Sequence, residues 1–153
     1  MNNITQNSKW EVSELNVIYH PNTNHQIKIL SSTDCFNVLK TMWHKDLMEL
    51  QEQFGVLFLN RNNRVIGYRL IGTGNMVSTI VDKKLIGCIA LKVMACGVII
   101  CHNHPSGNLI PSQVDIKLTS EIEAALKLFE INLLDHLIIT KTGYYSFKDE
   151  GLI

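Results

Sequence analysis

The sequence predicts an α/β domain in which one mixed sheet carries helices on its faces. Three observations predict it. Apolar residues alternate at strand spacing in some segments and recur at helical spacing in others. The segments follow one another in the order helix, hairpin, helix, strand, helix, hairpin. A length of 153 residues suits one compact domain with a substantial core and is short for two.

Residues 1–12 are polar and Asn-rich and read as a flexible tail, so the domain is expected over residues 13–153. Leu15, Val17 and Tyr19 alternate as a strand would, residues 21–24 read as a turn, and residues 27–30 as a short strand. Ser31, Ser32, Thr33 and Asp34 then offer caps for a helix burying Phe36, Leu39 and either Met42 or Trp43. A second helical stretch is expected over residues 46–51.

Residues 54–59 and 64–71 are apolar runs joined by Asn60-Arg61-Asn62-Asn63, a hairpin signature because Asn tolerates positive φ. Residues 82–95 have helical periodicity through Leu85, Ile89 and Val93, with Gly97 placed for a left-handed helix end. A strand through Val98, Ile99, Ile100 and Cys101 should follow at once. From residue 112 to about 130, Val114, Leu118, Ile122, Ala125 and Phe129 predict a helix. Residues 133–140 and 144–147 close the chain as two strands around a turn at Lys141-Thr142-Gly143.

Composition narrows the function classes. The apolar fraction is 46%, the charged fraction 18%, and 14 basic residues balance 14 acidic ones, which argues against a broadly basic nucleic-acid surface. Lys83, Lys84, Arg61 and Arg64 read as ordinary solvated charges. The cysteines Cys35, Cys88, Cys96 and Cys101 show no C-x-x-C spacing, and MNNITQNSKW has no leader pattern, so a reduced, cytoplasmic protein is expected. The longest apolar run, near residues 93–101, is shorter than the roughly 20 residues of a spanning helix.

The chemistry concentrates in HNHPSGNLIPSQVD, residues 102–115. Side chains at i and i+2 share a strand face, so His102 and His104 should stand side by side, with Asp115 arriving from the next element. Two imidazoles and a carboxylate leave a tetrahedral ion one position for water, as in a catalytic site. Pro105, Ser106 and Gly107 supply a sharp turn beyond the histidines. Ser112 and Asp115 also form a near capping box, S-x-x-D, which by itself is a helix start and nothing more. Both roles fit together, because a helix N-terminus favours negative charge.

The motif H-x-H-P-S-G, then P-S and D, with seven residues between His104 and Ser112 and two before Asp115, resembles the JAMM motif of the JAB/MPN metallopeptidases. More narrowly it resembles the RadC branch. The likeness runs over roughly residues 50–153 and takes in Asp135-His136-Leu137-Ile138 and Tyr144-Tyr145-Ser146-Phe147. It implies a single JAB/MPN-like, cytidine-deaminase-like domain and a Zn2+ held by His102, His104 and Asp115. It further implies Ser112 as stabiliser of the tetrahedral intermediate and a glutamate general base from an earlier strand. Glu52 matches that position, with Glu49 its nearest competitor. The implied activity is peptide or isopeptide hydrolysis on a peptide or protein substrate.

A second function class is a DNA-associated accessory module, because RadC-like proteins have been labelled DNA-repair proteins and short forms resemble those on mobile elements. The upstream helix-hairpin-helix of longer relatives has no clear counterpart here. A nucleobase deaminase would need H-x-E and P-C-x-x-C, which this chain lacks. The letters His102-Asn103-His104 do not make a nuclease, since that class spreads its residues over a ββα unit. His136 reads as a hydrogen-bonded core residue, and Cys101 as a buried thiol facing away from the histidines.

Overall fold

Asn63 adopts φ +54°, the left-handed turn conformation that Asn accepts, and this closes the first hairpin. In the computed structural model, which describes residues 18–21, 27–74 and 81–153, that hairpin joins β1 (Gln53–Leu59) to β2 (Val65–Thr73). It is preceded by α1 (Ser32–Met42) and followed by α2 (Lys83–Lys92), β3 (Gly97–Asn103), α3 (Gln113–Lys127), β4 (Asn132–Ile139) and β5 (Tyr144–Ser146). The expected tail at residues 1–12, most of the strand at 15–19 and the turn at 21–24 lie outside the described residues.

Among the described residues the sheet has five strands, in the order β2-β1-β3-β4-β5. Only β3 and β4 are parallel, and α3 makes the crossover that a parallel pair requires. The sheet is therefore mixed. β1 and β3 are buried along their whole length, as central strands covered on both faces are. Leu57, Leu59, Ile99, Cys101, Leu137 and Ile139 face α1. Phe54, Val56, Phe58, Val98 and Ile100 face α2 and α3. Leu57→Ala removes a fully buried side chain and is expected to lower unfolding stability by about 2–5 kcal/mol, read from the urea midpoint.

Local chemistry sets the helix starts. Ser31 and Asp34 form a capping box at α1 and Asp82 caps α2 through the amides of Lys84 and Leu85. Trp43, not Met42, enters the core, at 4% exposure. Lys83 pairs with Glu121 at 2.6 Å on the surface, an ordinary solvated contact. None of the helices among the described residues is long and apolar enough to cross a membrane.

Four expectations need correction. Residues 46–51 are not a helix: only a 3-10 turn forms, Lys45–Leu47, and beyond it the Met48 and Gln51 carbonyls accept from the Asn103 amide. Residues 27–30 make a single bridge, Lys28 to Arg64, in place of a strand. Met94, at φ +53°, takes the left-handed position after α2, whereas Gly97 opens β3, where a Cβ would lie 2.6 Å from Leu134 Cδ1. In α3 the buried residues are Thr119, Ile122 and Leu126, while Val114 and Phe129 are exposed. Counting apolar residues alone misplaced that stripe, since Thr119 and Asp115 continue it about one and two turns before Ile122 with polar side chains.

Candidate metal centre

The centre is built at the C-terminal end of β3, where the chain leaves the middle of the sheet. Phe54 of β1 pairs with His102, and Ile138 of β4 flanks it on the other side. His104 lies just past the strand, but its amide still donates to the Ile139 carbonyl at 3.2 Å, so the strand spacing carries one residue further. The chain then turns sharply: the Gly107 amide donates to His104 O at 3.0 Å, with Gly107 at φ +77°, a conformation glycine adopts freely. That turn returns the Asn108 carbonyl to 2.6 Å from His104 Nδ1.

The two imidazoles converge. His102 Nε2 and His104 Nε2 are 2.9 Å apart. Asp115 Oδ1 is 3.3 Å from His102 Nε2 and Oδ2 is 3.8 Å from His104 Nε2. Among the described residues, this is the group of three side chains whose donor atoms gather closely enough to share an ion. Ligands at about 2.0–2.2 Å from a tetrahedral zinc sit roughly 3.4 Å from one another, so the spacing fits with small adjustments. The donor set fits as well. The Asn108 carbonyl can only accept, so His104 Nδ1 carries the proton and its Nε2 offers a lone pair.

Burial tunes the group. His102 is pushed down from the ordinary histidine value to about 4, by desolvation first, with Asp115 opposing and His104 assisting. Desolvation likewise holds His136 well below the ordinary value, with His102 and His104 adding to the shift. Neutral imidazoles, the form that ligates metals, are thus favoured near pH 7.

Asp115 serves two purposes at once, because its oxygens divide the work. Oδ2 accepts from the Ser112 amide at 2.7 Å and the Ser112 hydroxyl at 2.6 Å, completing the capping box of α3. Oδ1 remains directed at His102. Ser112 is therefore the N-cap of α3, and its hydroxyl is engaged with Asp115.

Glu52 lies one residue before β1, half-buried, with its carbonyl accepting from Gly74 N at 2.9 Å. Strand alternation from Phe54 places it on the sheet face of His102, although its carboxylate is not one of the three converging donors. Glu49 is exposed and paired with Lys141 at 2.9 Å. Cys101 is buried and its thiol donates to the Gly55 carbonyl, away from the histidines as expected.

Three contributors were not singled out as site residues in the sequence. Asn103, fully buried, bonds the backbone of Met48, Gln51 and Gln53 and so fixes the segment bearing Glu52. His136 is also fully buried and, besides being the hydrogen-bonded core residue expected, places Nε2 2.8 Å from His102 Nδ1. Thr119 Oγ1 lies 2.6 Å from His136 Nδ1. The signals available beforehand were the spacing of Asp115 and Thr119, four residues apart on a helix, and the Asp135-His136 pair within the family resemblance.

Fold and site together define an α/β domain with two histidines and one aspartate gathered at the end of its central strand, a group that could hold a cation. Comparison with known proteins reaches the same class: a family profile described as "RadC-like JAB domain" matches residues 29–152. The chain belongs to the RadC-like JAB domain family. It is 46% identical over 126 residues to a UPF0758 protein of Flavobacterium johnsoniae, covering 82% of this chain and 53% of the relative. A UPF0758 protein of Chlorobium chlorochromatii is 35% identical over 142 residues, covering 93% and 63% respectively. One from Clostridium botulinum is 38% identical over 132 residues, covering 86% and 56%. The chain thus spans between about half and five-eighths of the length of these curated relatives, whose shared name states no activity.

Proposed function

We propose that this domain is a zinc-dependent metallohydrolase that cleaves peptide or isopeptide bonds. The observation that carries the reading is the convergence of His102 Nε2, His104 Nε2 and the Asp115 carboxylate, a three-donor set of the kind that leaves a catalytic ion accessible to solvent. Membership of a JAB-type family supports it. A zinc ion held there supplies Lewis acidity, which allows water to act as a nucleophile near pH 7.

The chain's own residues supply the remaining steps. His102, His104 and Asp115 would hold the ion. Glu52 accepts a proton from the attacking water and delivers it to the leaving nitrogen as the carbon–nitrogen bond breaks. The new carbon–oxygen bond leaves one product as a carboxylate, with no covalent enzyme intermediate. Ser112, released from its bond to Asp115, donates to the carbonyl oxygen as charge develops there.

The test is hydrolysis of a peptide and isopeptide library by zinc-loaded protein, beside the Glu52→Gln variant. Glu52→Gln is expected to retain zinc and to lose about 10²–10⁴-fold in kcat. Equal turnover by both proteins would contradict the role given to Glu52. Salt-dependent DNA binding is measured in parallel, and tight binding without cleavage of any amide would favour the DNA-associated alternative.

A further inference from the structure

The hydrogen bonds behind His102 form a chain whose direction follows from donor counts together with the burial of His136. Thr119 Oγ1 is 2.6 Å from the Asp115 backbone carbonyl and 2.6 Å from His136 Nδ1. A carbonyl can only accept, and threonine has a single hydroxyl hydrogen, so that hydrogen goes to Asp115 O. His136 Nδ1 must then be the donor to Thr119. His136 is fully buried, with its ring stacked on Phe147 at 4.5 Å and edge-on to Phe54 at 6.0 Å, surroundings that disfavour a charged imidazole. A neutral His136 protonated at Nδ1 has a bare Nε2. His102 Nδ1, 2.8 Å away, supplies the hydrogen for it. One proton on His102 Nδ1 leaves Nε2 without one, and that nitrogen points at His104 and Asp115.

We propose that His136 and Thr119 are positioning residues that lock His102 in the tautomer whose Nε2 lone pair faces the ion. The inference rests on the metal reading above and extends it past the ligands. The chain begins at the backbone of one ligand, Asp115, and ends on the ring of another, His102. Orientation of the first turn of α3 and orientation of the imidazole on β3 are therefore set by the same hydrogen bonds. Outer partners of this kind fix the ring and raise the basicity of the ligating nitrogen.

Thr119→Val deletes the acceptor for His136 Nδ1–H while keeping the side-chain shape. His136 is then free to move its proton to Nε2, which turns His102 Nδ1 into an acceptor and puts the His102 proton on the ligating nitrogen. Thr119→Ser retains the hydroxyl and serves as the rescue.

The experiment uses the full chain labelled with 15N-histidine. Long-range 1H–15N spectra of the metal-free protein read the tautomers, and calorimetric zinc titration reads affinity for wild type, Thr119→Ser and Thr119→Val, with thermal unfolding as a control on folding. We expect Nδ1–H tautomers for His102 and His136 in wild type. Thr119→Val is expected to bind zinc about 10–100-fold more weakly and to shift His102 toward Nε2–H, and Thr119→Ser to restore both. An Nε2–H tautomer of His136 in zinc-binding wild type, or unchanged zinc affinity in Thr119→Val, would overturn the relay alone. Wild type that shows both expected tautomers yet takes up no zinc would contradict the metal reading, and with it the purpose assigned to the relay. The wild-type spectrum decides the tautomers even if a variant fails to fold.

Discussion

Asp115→Ala is expected to abolish useful zinc binding, lowering affinity by more than about 100-fold, beyond the 10–100-fold typical of losing an outer partner. The reason is the charge balance of the cluster. Asp115 is the one anionic donor of the three, and without it two neutral imidazoles are left to hold a divalent ion. The same substitution opens the capping box of α3, because the Ser112 amide and hydroxyl both donate to Asp115 Oδ2. That loss should cost about 0.5–2 kcal/mol, a modest drop in unfolding midpoint that leaves the protein folded. Asp115→Asn separates the effects: it keeps an oxygen for the cap and removes the charge, so its stability should stay near wild type while zinc affinity falls. Calorimetry and thermal unfolding on the three proteins check both. Wild-type zinc affinity in Asp115→Ala would place the ion elsewhere.

Asn103→Ala is expected to destabilise the fold by about 3–5 kcal/mol, among the larger effects of a single substitution. Asn103 is fully buried and makes three bonds to backbone, accepting from Gln53 N at 2.8 Å and donating to Met48 O at 2.8 Å and Gln51 O at 2.9 Å. Truncation leaves these groups without their partner, at about 1–3 kcal/mol for each one that water cannot reach. Asn103→Asp keeps the acceptor and the size but sets a carboxylate against two carbonyls, so it should be destabilised too. The segment from Met48 to Gln53 should loosen in either variant, with faster hydrogen exchange at the Gln53 amide and weaker placement of Glu52. Urea unfolding measures the stability change, and a loss below about 1 kcal/mol would contradict the account of this anchor.

Much of this was legible in one dimension. The Asn-rich turn between two apolar runs announced the hairpin, and the spacing of His102 and His104 on an apolar strand announced the paired imidazoles, because both depend on near neighbours in the chain. What escaped the sequence depends on partners far along it. Asn103 reaches back about 50 residues to Gln53, and His136 meets Thr119 and His102 from a different strand. An asparagine between two histidines carries no sign that it will reach the carbonyls of Met48 and Gln51. The inward stripe of α3 was displaced for a related reason: Asp115 and Thr119 face the centre, so half of the stripe is polar and a search for apolar periodicity passes over it. Glu52 sits between these cases, since resemblance pointed to it and the ion pair of Glu49 with Lys141 occupies its competitor.

The most direct measurement is anomalous diffraction on both sides of the zinc absorption edge, from crystals grown with zinc and without chelator. The account predicts one strong peak bounded by His102 Nε2, His104 Nε2 and the Asp115 carboxylate, with ligand distances of about 2.0–2.2 Å. A map with no peak between these three side chains, while zinc appears on other residues, would contradict it.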